Sequence, residues 1–234
     1  MFLIPCLYYL ATKHDKSISI SVSKTIYKKL GEFTYSTSDH FDLGPPGKML
    51  FELLESDKGT LDLAKRIVKG MPVEMSDRLH EDMVSRIGEI FNNAYDHSSA
   101  SHVIAGRYPK PRKKLCFVCY DTGIGIPDKV RDFLREGTAS EITDEHALRW
   151  AMEPFNTTVP HSDSPRGLGL GLLRDFIHLN RGRIRICTGN VLYTYDCGSA
   201  SIKENFQRLN HVFYGTLFEM DINTDDRPYR YKGE

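Results

Sequence analysis

No excess of charge of one sign marks this chain: Lys and Arg together number 31, and Asp and Glu also number 31. That balance withholds the basic footprint of a nucleic-acid binder from the chain as a whole. The local cluster Lys110-Pro111-Arg112-Lys113-Lys114 is broken by Pro111 and preceded by Pro109, so it reads as a solvated hairpin turn. Long apolar runs are also lacking. Met1 to Leu10 is apolar, but about ten residues is half of what a membrane-spanning helix needs. The same stretch has no basic n-region and no small-residue cleavage site, so a signal peptide is not expected and a buried first strand is. Five cysteines at irregular spacing provide no disulfide framework and suit a reducing, cytoplasmic setting. Cys116-x-x-Cys119 lies in an apolar run that reads as a strand, where residues three apart face opposite ways, which excludes a shared metal or disulfide. Gly44-Pro45-Pro46-Gly47-Lys48 lacks the second half of a phosphate loop, and its two prolines remove backbone donors.

What is present begins with a mixed region over residues 1–72. Ser17 to Val22 alternates like a half-buried strand, Phe41 to Gly47 reads as a turn, and Lys48 to Leu54 as a short helix. Leu61 to Val68 reads as another helix, closed by Gly70-Met71-Pro72. Residues 73–225 form the expected main domain, and 226–234 a polar tail. Ser76 can cap a helix whose apolar residues Leu79, Met83, Ile87, Phe91 and Ala94 recur every three or four positions. Two strands, Ser101 to Ala105 and Leu115 to Tyr120, flank the basic turn. A long polar segment from Pro127 to Arg166 reads as a lid with short helices near Val130 to Leu134 and Asp144 to Met152. A helix over Leu172 to Leu179 and strands over Ile184 to Cys187, Val191 to Tyr195 and Phe213 to Ile222 follow. The order predicts an α+β fold, a two-layer α/β sandwich with helices on one face of a mostly antiparallel sheet.

Four elements carry chemistry. Glu89-x-x-x-Asn93-Ala94-x-x-His97 places three polar side chains four apart on one helical stripe. Asn93 offers an amide oxygen to Mg²⁺, and a mid-helix Asn is otherwise mildly unfavourable. Glu89 is one turn away, placed to orient or deprotonate a nucleophile, although a helical Glu is usually just solvated. His97 suits a phosphate or simply the helix C-terminus. In Asp121-x-Gly123-x-Gly125-Ile126-Pro127, a carboxylate at a strand end can accept from the exocyclic amine of adenine while the glycines admit the base; an Asx turn is the alternative. Arg166-Gly167-Leu168-Gly169-Leu170-Gly171 opens a helix, where bare backbone amides favour polyphosphate, with helix-on-sheet packing as the alternative. Arg166 can add a charge-assisted contact or remain solvated. Gly215-Thr216-Leu217-Phe218 closes the set, and the four together predict ATP binding.

These segments, "EIFNNAYDH", "DTGIGIP", "GLGLGL" and "GTLF", resemble the N, G1, G2 and closing-strand motifs of the GHKL superfamily of gyrase-like, chaperone-like and histidine-kinase-like ATPases. Met152 to Pro160 is similar to a histidine-kinase lid. The resemblance spans about residues 75–222 and implies the Bergerat ATP-binding fold. It also implies Asp121 on adenine, Thr216 near the base through water, Asn93 on Mg²⁺ and the glycine segment on the phosphates.

The pattern departs from a sensor kinase in two respects. The first 70 or so residues show no long helical hairpin carrying an acceptor histidine, and His80 shares a helix with Glu89. Glu89 itself resembles the hydrolysing members and the anti-sigma-type serine kinases. The resemblance therefore implies a kinase passing the γ-phosphate to a separate protein, or an ATP-hydrolysing switch whose lid regulates partner binding or dimerisation, or a module that binds ATP without chemistry. The expected cofactors are ATP and Mg²⁺. The expected partner is a phosphoacceptor or regulated protein, with a homodimer left open and neither nucleic acid nor membrane expected.

Overall fold

The computed structural model of the chain describes residues 40–43, 49–54, 59–96, 100, 103–110, 112–134, 142–153, 156, 169–198, 200–231 and 233. The expected strands near residues 1–10 and 17–22, His97, Arg166, Gly167 and Leu168 lie outside them. The described strands are β1 (His40–Leu43), β2 (Met49–Leu54), β3 (Val103–Lys110), β4 (Lys114–Asp121), β5 (Arg183–Asp196) and β6 (Lys203–Asn223). They form one antiparallel sheet in the order β1-β2-β3-β4-β6-β5. The helices are α1 (Thr60–Lys69), α2 (Asp77–Asp96), α3 (Ile126–Leu134), α4 (Asp144–Met152) and α5 (Gly169–Asn180).

Period-2 alternation sorts the strands into two faces. Leu115, Phe117 and Cys119 of β4, with Phe218, Met220 and Ile222 of β6 and Ile184 and Ile186 of β5, join one large core. Side chains of α1, α2, α4 and α5 fill that same core, so these helices cover this face. The other face carries a smaller cluster built from strand residues such as Ile104, Tyr108, Cys116 and Leu217, to which no described helix contributes. Cys116 and Cys119 are buried on opposite faces, as their spacing requires. The result is the expected α+β two-layer sandwich.

Helix α2 starts where Ser76 Oγ accepts the Leu79 N–H at 3.3 Å. Its apolar stripe, Leu79, Met83, Ile87, Phe91 and Ala94, is buried, with the Phe91 ring 5.9 Å from Phe117. Helix α5 ends in an N–H from Gly182 to the Ile177 carbonyl at 2.9 Å, with Arg181 at φ 53° as the left-handed residue of that stop. A Cβ on Gly182 would fall 2.3 Å from the Asp221 carbonyl oxygen, so glycine is what lets the chain pass from α5 into β5 against β6.

Several expectations are corrected. Lys48 to Leu54 is not a helix: Met49–Leu54 is strand β2, paired to β1 on one side and β3 on the other. A six-residue apolar run carries no periodicity that separates helix from buried strand, and pairing on both edges decided it. Phe41 to Leu43, read as part of a turn, belong to β1. The strands expected over Ile184–Cys187 and Val191–Tyr195 are one strand, β5, irregular at Gly189 with φ 53°. Strand β6 extends back to Lys203 because its polar first half pairs with β5 as an exposed ribbon, which apolar alternation cannot reveal. Lys110, read as solvated, bonds Asp221 at 2.7 Å, while Arg112 and Lys113 do form the exposed turn. The sheet and core run across residue 72, since β2 pairs with β3 and α1 packs into the common core. The tail is docked: Tyr229 bridges Met75 and is 6% exposed, and the Tyr231 hydroxyl bonds Asp82 at 2.7 Å.

Candidate nucleotide site

The pairing registers align Val103, Asp121, Thr216 and Thr188 as one rung across β3, β4, β6 and β5. By alternation this rung lies on the helix-covered face, next to the apolar rung of Ala105, Cys119, Phe218 and Ile186. The core therefore turns from hydrocarbon to a carboxylate and two hydroxyls within one rung.

Asp121 is 4% exposed, and its Oδ1 accepts the Gly123 N–H at 2.9 Å. The Asx turn weighed from sequence is thus present, and a carboxylate can accept several hydrogen bonds at once. Thr188, fully buried, ties the surrounding backbone together. Its hydroxyl donates to the Gly215 carbonyl at 3.0 Å, accepts the Ile126 N–H at 3.1 Å and lies 3.3 Å from the Thr216 hydroxyl. Gly215 has φ 78°, and a Cβ there would sit 2.0 Å from the Asp121 carbonyl oxygen. Gly125 has φ 83°, and a Cβ would lie 2.9 Å from Thr188 Oγ1. These glycines let the 121–126 loop close on the Gly215 turn. Gly125 packs against protein rather than opening space for a base.

Two helix ends reach the same edge of the sheet. Thr224 leaves β6 with its N–H on the Lys113 carbonyl at 2.8 Å, and the chain then bonds Glu74 and Ser76 through Tyr229. Helix α2 therefore begins at the Lys113 end of β4, crosses Phe117 at Phe91 and runs toward the Asp121 end. Helix α5 runs the opposite way along the chain, with Asn180 bonded to Asn223 at 2.7 Å beside Lys114. Its twelve residues rise about 18 Å, so its first turn lies away from that end of the sheet. Gly171 is exposed and a Cβ on it would meet nothing within 4 Å, so close packing does not explain that glycine.

Glu89 and Asn93 line a cleft of about 770 Å³ between α1 and α2. Glu89 is half-buried, with Oε2 3.0 Å from Arg86 Nη1, and Asn93 is exposed. Among the described residues no group of three or more His, Cys, Asp or Glu could hold a metal ion. A magnesium site would accordingly rest on Asn93 together with phosphate oxygens.

Among the described residues, the structure brings Asp121, Gly123, Gly125, Ile126 and Thr216 together, with the α5 start facing the same end. Sequence reasoning missed Thr188, which gives no local signal because its partners are 62 and 28 residues away.

No protein-family model matches the chain, and no curated protein does. Among solved structures it is similar to a mycobacterial sensor histidine kinase, MprB, at 16% identity and TM-score 0.35, over 73% of this chain and 95% of that one. It is also similar to the topoisomerase IV ATP-binding domain of Francisella tularensis in complex with a small-molecule inhibitor, at 14% identity and TM-score 0.34. That match covers 76% of this chain but only 44% of the other.

Proposed function

We propose that this chain is a Mg·ATP-binding, histidine-kinase-like ATPase module that passes the γ-phosphate to a separate protein. The observation that carries the proposal is the polar rung Asp121–Thr216–Thr188 at the end of an otherwise apolar sheet face.

The residues fit the group. Asp121, held by Gly123, presents a carboxylate to an exocyclic amine, and Thr216 adds a hydroxyl on the same rung. The open N-terminus of α5, with Gly169, Leu170 and Gly171, suits phosphate oxygens, and Arg166, Gly167 and Leu168 precede it in sequence. His97 follows Asn93 by one turn of sequence spacing and suits the same phosphates. Bound through Asn93, Mg²⁺ would neutralise phosphate charge. Glu89, oriented by Arg86, would take the proton of the attacking hydroxyl. The alternative is an ATP-hydrolysing switch in which Glu89 orients water, and the two share every residue named.

The test follows the γ-phosphate of Mg·ATP with wild type beside Glu89→Ala. Label that reaches protein in an added lysate, and is lost in the variant, supports the kinase. Free phosphate that depends on Glu89 supports the switch. Absence of nucleotide binding by the wild type would sink both.

A further inference from the structure

The cleft that holds Glu89 and Asn93 continues well past them. Thr60 Oγ1 lies 3.1 Å from Asn92 Oδ1, and a Cβ added at Gly88 would lie 4.0 Å from Leu61 Cδ1, so α1 starts beside the catalytic stripe. It then runs antiparallel to α2, because Lys69 ends it only a short loop before Asp77 begins α2. One wall of the cleft is therefore the stripe Leu61, Lys65 and Lys69, spaced by four. Leu61 is 53% exposed and offers apolar contact next to Glu89.

The charge along the cleft is uneven. Lys65 and Lys69 enter no ion pair among the described residues. Arg86 gives Nη1 to Glu89, while its buried Nε has no hydrogen-bond partner. With Arg86 and Glu89 paired to each other, the lining keeps Lys65 and Lys69 against one further carboxylate, Glu81 at the far end. An anionic chain laid from Glu89 toward Lys69 would meet Lys65 before any unpaired carboxylate.

We propose that the α1–α2 cleft docks an acidic segment of the protein that receives the phosphate. This rests on the ATP chemistry proposed above and adds the partner's character. Spacing makes it specific. From Leu61, Lys65 is about 6 Å and Lys69 about 12 Å along the helix, which an extended peptide spans in about two and four residues. The acceptor hydroxyl is thus expected two to four residues from Asp or Glu. A bare row of solvated lysines would show no such preference.

The experiment measures fluorescence anisotropy of a labelled peptide with one serine and aspartates two and four residues from it, with Mg·ADP present. The comparators are the same peptide with lysines at those positions and a single-stranded oligonucleotide of equal length. The acidic peptide should bind about tenfold or more tighter than the basic one. Lys65→Glu with Lys69→Glu, both exposed, should reverse that order and leave Mg·ADP affinity unchanged. Equal binding of the two peptides, no effect of the charge reversal, or tighter binding of the oligonucleotide would overturn the proposal. Loss of Mg·ADP binding by the wild type, with the peptide preference intact, would overturn the ATP reading and leave the acidic-segment site standing.

Discussion

Both faces of the central sheet bury carboxylates, in different surroundings. On the face away from the helices, Asp221 is bonded by Lys110 at 2.7 Å and Arg183 at 2.7 Å, and Glu219 is paired with Arg185. Burial pushes the Asp221 carboxyl up, but Lys110 and Arg183 overcome this and hold it below the ordinary carboxylate range. Burial keeps Glu219 above that range despite Arg185. Each of these carboxylates faces at least one cation. On the helix face, Asp121 is almost as buried, yet its rung neighbours are Val103 and Thr216, and its Oδ1 takes a backbone N–H. Two cations make Asp221 a structural carboxylate; Asp121 shares its rung with a threonine hydroxyl and accepts a backbone amide, and a carboxylate can accept several hydrogen bonds at once.

That contrast can be broken deliberately. Gly215→Ala should have the largest effect, because the Cβ would sit 2.0 Å from a backbone oxygen at φ 78°. A loss of about 3 kcal/mol or more in urea unfolding is expected, together with loss of nucleotide binding. Asp221→Asn should cost about 2–3 kcal/mol of stability by stranding Lys110 and Arg183. Mg·ATP affinity, measured by calorimetry, should not change.

Asp121→Ala should do the reverse, weakening Mg·ATP about 100-fold with a much smaller shift in Tm. If both aspartates lowered only Tm, the functional assignment of the rung would be wrong. Thr188→Val keeps the shape but removes the hydroxyl that joins Ile126 to Gly215. It should cost about 1–2 kcal/mol and loosen nucleotide binding several-fold, and Thr188→Ser should restore both.

The smallest effect is acid sensitivity. Because the folded Asp221 carboxyl titrates below its unfolded value, its contribution is present above about pH 4 and fades as pH falls through the depressed value. Lys110→Met should flatten that part of an acid-unfolding curve.

Much of this could be read along the chain. The stripe of α2, its Ser76 cap and the stop after Asn180 are local matters of periodicity and capping, and each is observed. Asp121 and Thr216 were legible as motif residues because their glycine neighbours punctuate the sequence. Lys48 to Leu54 and the polar half of β6 were not legible. Whether a short apolar run becomes helix or strand, or a polar one pairs at all, depends on partners distant in sequence. His97 and Arg166 remain sequence expectations.

Sequence by itself determined the alternating strands, the amphipathic helices and the residue types of the candidate site, since each follows from neighbours within a few positions. Only tertiary structure decided that Asp121, Thr216 and Thr188 share a rung, that Thr188 belongs to the site, and that α1 lays two lysines along the cleft holding Glu89. Those are matters of strand register and helix packing, set by which buried surfaces fit together rather than by any local stretch of chain.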